Sequence, residues 1–129
     1  MKKSLTLIFL LCIAGCSKQE VRPEALANRL KDADRVVVTN IFSQTSITLT
    51  GAEVSKVVQA IAAGKKAIGP PSCGPDFRFE FFKTAEHLGT VPICLNGFWI
   101  GDTTYDDPTG TLTALGERFR EMDRSRSLP

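Results

Sequence analysis

Histidine, tryptophan and tyrosine are nearly missing from this chain: its 129 residues hold one of each. A hydrolase needs a nucleophile, a base and an orienting group within reach of one another. His87 is the one histidine. It falls in or beside an expected β-turn, where a solvated turn residue accounts for it. No G-x-S-x-G, H-E-x-x-H or P-loop spacing occurs. There is no C-x-x-C, which disfavours a thioredoxin-type redox site. No apolar run reaches the ~20 residues of a membrane-crossing helix. Repeats and composition breaks are absent too, so one globular domain is expected. Charge of one sign is also lacking. The chain carries 16 basic and 14 acidic residues, net +2. Lys2 and Lys3 supply that excess; without them 14 of each sign remain. Nucleic acid, which selects a basic surface, is therefore not an expected partner.

What is present begins with the N-terminus. Lys2 and Lys3 form a positive segment, and Leu5 to Ile13 an apolar one of the length found in cleavable signals. Ile13-Ala14-Gly15-Cys16 follows. This run resembles the lipobox of bacterial lipoproteins, with Ile in place of the usual Leu. The resemblance covers residues 1–16 alone; the rest of the chain resembles no family. It implies that residues 1–15 are removed and that Cys16 carries a covalent lipid, with no other cofactor expected. Ser17 is not the Asp that retains such proteins in the inner membrane. The implied home is thus the bacterial cell envelope, at the outer membrane facing the periplasm, with the lipid as the membrane contact. Removing 15 of 129 residues leaves 114, enough to bury about two thirds of the unfolded surface.

Cys12 leaves with the signal and Cys16 takes the lipid, so Cys73 and Cys94 remain. In an oxidising envelope they are expected to form a disulfide. An antiparallel hairpin of 77–82 with 88–95 would bring Cys94 opposite residues near Asp76, within reach of Cys73. Such a bridge would add about 3 kcal/mol under the chain-entropy model. A zinc site using Cys73, His87 and Cys94 lacks an evident fourth ligand and a known spacing.

Residues 16–22 read as a polar tether, 23–123 as the domain and 124–129 as a frayed tail. Pro23 suits a first helical turn, and Leu26, Leu30 and Ala33 share a face, predicting a helix over 23–33. Residues 35–41 are β-branched and 46–49 alternate, predicting two strands. Thr50 and Glu53 match a capping box, with Leu49 and Val54 as its hydrophobic staple. They open a helix over 51–64 that stops at Gly64. A loop over 64–76 comes next, followed by strands at 77–82 and 88–95. Asn96-Gly97 signals a tight turn into a fifth strand at 98–100, which Thr103-Thr104-Tyr105 extends. A last helix starts at Asp106-Asp107-Pro108 and buries Leu112, Leu115, Phe119 and Met122. The expected order is α-β-β-α-β-β-β-α. It describes an α+β domain with one antiparallel sheet of about five strands and helices on one face.

Asp102, Asp106 and Asp107 lack the spacing of a calcium loop, so no metal site is expected, and Asp107 is better read as a helix cap. Glu80 and Glu86 do not form a catalytic pair. The aromatics are more informative. Phe77, Phe79 and Phe81 share a core face, with Phe82 opposite. Phe98 and Trp99 alternate, so one of them, with Tyr105, Asp102 and Asp106, is expected to form an exposed binding patch. The favoured expectation is a non-enzymatic interaction module of inhibitor, immunity or accessory type, with an envelope protein as partner. The alternative is a binder of a small envelope ligand, such as a cell-wall fragment or sugar, in a pocket between the 64–76 loop and the 96–106 hairpin.

Overall fold

The computed structural model describes residues 21–69, 74–94 and 97–127. The signal segment, Cys16, Ser17, residues 16–20 of the tether, Cys73, Asn96 and residues 128–129 lie outside the described residues. The elements in chain order are α1 (Pro23–Leu30), β1 (Arg35–Asn40), β2 (Ser46–Thr50), α2 (Ala52–Ala62), β3 (Lys65–Lys66), β4 (Phe77–Lys83), β5 (Glu86–Cys94), β6 (Gly97–Ile100), β7 (Thr103–Asp106) and α3 (Thr111–Ser127). The fold is α+β, with one antiparallel sheet of seven strands ordered β2-β1-β4-β5-β6-β7-β3.

Strand alternation sorts the side chains onto two faces. Leu49, Val36, Phe81 and Gly89 form one row across the sheet. Asn40, Phe77, Ile93, Phe98 and Tyr105 form another on the same side. The apolar members of these rows are buried, each large one stabilising the fold by about 1.5–3 kcal/mol through burial. The helices lay their apolar stripes on this face: Leu26 and Leu30 from α1, Val54, Val57 and Ile61 from α2, Leu112 and Phe119 from α3. Phe119 meets Phe77 with ring centroids 5.6 Å apart. Gly116 and Gly89 make room for close packing, since a Cβ on either would lie 3.2 Å from Phe77 or Leu30 respectively.

Several expectations are corrected. Seven strands replace about five. Lys65 and Lys66, expected in a loop, pair with Asp106 and Tyr105. Residues 103–105 belong to a separate strand, because Gly101, at φ 59°, reverses the chain and sets Thr103 opposite Ile100. The capping box does not form. Thr50 stays in β2 opposite Arg35, and Gly51, at φ 60° and ψ −130°, is the N-cap with no side-chain bond. That backbone conformation is one only glycine adopts easily. The staple pair Leu49 and Val54 is buried. α1 ends at Leu30 and not at residue 33, as the Ala33 N–H turns back to the Leu30 carbonyl (3.0 Å).

The β4–β5 hairpin turns on Thr84-Ala85 alone, with Lys83 opposite Glu86, so His87 stands in a strand and not in the turn. Gly97 is also a strand residue, opposite Cys94 and Asp106. α3 starts at Thr111, not beside Pro108. Asp107 still caps it from upstream, accepting from the Leu112 N–H (2.8 Å) and the Thr109 N–H (2.9 Å). Met122, expected in the core, is 39% exposed. The buried stripe of α3 runs through Leu112, Gly116 and Phe119, and Met122 falls beside it. The helix continues to Ser127, past the expected fraying point. Asp123 ties it to the β1–β2 turn, accepting from Ser43 Oγ (2.8 Å), Thr45 Oγ1 (2.9 Å) and Asn40 Nδ2 (3.4 Å).

Candidate functional site

With all three helices on one side of the sheet, the other side carries no helix among the described residues. Register places on it Arg35, Val37 and Thr39 from β1, Ser46 and Thr48 from β2, and Arg78, Glu80 and Phe82 from β4. From β5 come His87, Thr90, Pro92 and Cys94, and from β6 and β7 come Trp99, Thr104 and Asp106. Of these, Thr39 and Cys94 are buried, and the rest are half-buried or exposed.

The most structured part of this face is built around Phe82, which is half-buried. The Arg35 guanidinium lies 4.4 Å from the Phe82 ring centroid, and its Nη2 donates to the Thr84 carbonyl (3.0 Å). The His87 ring meets Phe82 edge-on at 5.2 Å. His87 Nε2 is 3.0 Å from Thr90 Oγ1 and 3.8 Å from Glu80 Oε2. Glu80 accepts in turn from Arg78 Nε at 2.9 Å. A bulge between Phe81 and Phe82 sets His87 opposite Phe82 and so assembles the cluster. A cation over an exposed ring stabilises by about 0.5–1 kcal/mol, and an exposed ion pair by less than about 1 kcal/mol. The cluster therefore presents ordered charge and an aromatic ring more than it braces the fold.

The same geometry does not form a catalytic relay. In a triad the base uses one ring nitrogen toward the nucleophile and the other toward its orienter. Here Thr90 and Glu80 both face Nε2. Among the described residues no group of three or more His, Cys, Asp or Glu could hold a metal ion. Cys73, one member of the zinc set considered from the sequence, lies outside the described residues.

The expected aromatic patch is divided between the two faces. Phe98 and Tyr105 are buried on the helix side, stacked with centroids 5.5 Å apart. Trp99 and Asp106 are on the open face, and Asp102 is exposed in the β6–β7 turn. Trp99 is half-buried, and its Nε1 is fully buried with no hydrogen-bond partner among the described residues. The expected pocket between residues 64–76 and 96–106 is bordered by residues 70–73 and 96, outside the described residues.

Arg35, Arg78, Phe82 and Thr90 were not singled out as site residues from the sequence. The strand alternation held a signal, since Phe82 was already assigned to the face away from Phe81. The partners across the sheet depended on strand order, which no single segment encodes.

A groove of about 600 Å³ along α3 is lined by Glu117, Arg118, Arg120, Glu121 and Arg124 with Ala114. Its charges are of mixed sign. Arg118 Nη1 donates to Glu53 Oε1 at 2.7 Å, and Arg120 Nη2 to Asp76 Oδ2 at 2.8 Å. The hydrogen bond from Arg118 holds the Glu53 carboxyl below its ordinary range, against a smaller opposing effect of burial, and raises Arg118 in return. These pairs join α3 to its neighbours and leave no convergent site.

No family model, characterised protein or solved structure matches the chain. No described helix is long and apolar enough to cross a membrane.

Proposed function

We propose that this chain is a lipid-anchored protein of the bacterial envelope that binds a protein partner through the open face of its sheet. It is a non-enzymatic module of the inhibitor, immunity or accessory type. The observation that carries this reading is the segregation of the fold. Three helices cover one face, while the other displays the Arg35–Phe82–His87–Glu80–Arg78 cluster with Thr90 beside it. Aromatic and arginine side chains on one exposed surface are the groups that interfaces favour.

Anchoring rests on the Ile13-Ala14-Gly15-Cys16 run, and periplasmic exposure at the outer membrane on Ser17. A Cys73–Cys94 disulfide is part of the proposal. The Asp76 N–H donates to the Ile93 carbonyl at 2.9 Å, bringing the chain just after Cys73 to the end of β5. The alternative, a small envelope ligand such as a cell-wall fragment or sugar, is less well supported. Only Trp99 of the three expected aromatics stands on the open face.

The test is affinity capture of the lipidated chain from detergent-solubilised envelopes, with partners read by mass spectrometry. The expected result is a stoichiometric envelope protein that is lost with Phe82→Ala or Trp99→Ala and retained with Arg118→Ala on the helix layer. Capture equal to a lipid-only control would reject the protein-binding reading.

A further inference from the structure

The two edges of the sheet differ. β3 is two residues long, and both are exposed lysines. Short length and lysine charge are two ways that sheets block edge-to-edge pairing. β2 has neither. Ser46-Ile47-Thr48-Leu49-Thr50 carries no charge and no proline, pairs with β1 without a bulge, and is rich in β-branched residues.

Register fixes where the backbone groups of β2 point. The Asn40 N–H donates to the Thr45 carbonyl (2.9 Å), so Asn40 faces β2; the Ile41 N–H donates to the Asp76 carbonyl (3.0 Å), so Ile41 faces away from it. Stepping back in twos, Val38 and Val36 face β2, opposite Ile47 and Leu49. Ser46, Thr48 and Thr50 therefore direct their N–H and C=O groups outward, where no described strand lies.

We infer that this edge pairs antiparallel with the same edge of a second copy, on a two-fold axis through Thr48. That axis sets Thr48 opposite Thr48, and Ser46 opposite Thr50 of the other copy. Each copy turns three N–H and three C=O groups outward, and the arrangement satisfies all of them in six hydrogen bonds. The side chains match as well. Half-buried Ile47 falls in register opposite Leu49 of the other copy on the helix-bearing face, where Leu49 is already buried in its own core, and exposed hydroxyls meet hydroxyls on the open face. Charge favours this edge and no other, since β2 sets no like charges together whereas β3 against its own copy would oppose lysines to lysines. The axis runs normal to the sheet, so the two open faces become one continuous surface.

The experiment is light scattering or sedimentation of the full lipidated chain in detergent, from about 1 to about 100 µM. The expected result is a protein mass of two chains. Thr48→Pro removes an outward N–H and none that bonds to β1, so the single copy keeps its ladder. It should raise the dimer dissociation constant by roughly tenfold or more, with an unchanged circular dichroism spectrum. Thr48→Lys, which opposes two lysines on the axis, is the second variant and should do the same. A single-chain mass across the whole range overturns the inference, including one that takes up an unrelated extended peptide. So does a dimer that neither variant weakens.

Discussion

Gly97 shows how one residue serves a need that its sequence neighbours disguise. After Asn96 it reads as half of a tight turn. In the fold it lies between β5 and β7, and a Cβ there would fall 2.0 Å from the Tyr105 carbonyl oxygen. The obstacle is backbone, so β6 and β7 would have to separate. Gly97→Ala is expected to cost about 1–3 kcal/mol or more, the range for overpacking, read as a lower denaturant midpoint at unchanged slope. An unchanged midpoint would mean that the two strands do not approach so closely. Trp99, two residues on, was legible as one of an alternating pair. Which of Phe98 and Trp99 faced inward was not, because the choice depends on what the neighbouring strands present.

Among the elements, the second helix and the last helix are joined by Glu53 and Arg118, two surface residues far apart in sequence. Glu53 is bonded by Arg118 and has a lower pKa folded than unfolded. Its contribution to stability is therefore complete above the unfolded value and is lost as pH falls through the folded one. Both side chains are more than 40% exposed, so the contribution is below about 1 kcal/mol. Wild type should exceed Glu53→Gln slightly in stability at neutral pH, and the difference should vanish as acid protonates the carboxylate. Urea titrations of the pair at several pH values would check this; a difference that persists in acid would contradict it. The same residue explains why the capping box failed. Thr50-Gly51-Ala52-Glu53 has the right composition, but Thr50 ends β2 in register opposite Arg35, Gly51 takes the N-cap position and Glu53 is drawn to Arg118. Tertiary pairing overrode a local signal. β3 is the converse: two lysines carry no strand pattern, and only the open edge of β7 makes them one.

For the whole molecule, hydrophobic periodicity was enough to read the class of the fold. Phe77, Phe79 and Phe81 alternate along one strand, while Val54, Val57 and Ile61 repeat at helical spacing, and both sets are buried as that spacing demands. The candidate site was less legible. It draws Arg35 from β1, Arg78, Glu80 and Phe82 from β4 and His87 and Thr90 from β5, and none of these segments names its neighbours. What the sequence did carry was the rule that a one-sided sheet leaves a second face unused.

The most direct test of the account is site-specific photo-crosslinking in living cells. A photoreactive residue replaces exposed Thr90 on the open face or exposed Ala114 on α3. The account predicts a discrete adduct with an envelope protein from position 90 and none from position 114. Crosslinking from position 114 alone, or from neither, would contradict the assignment of the open face as the binding surface.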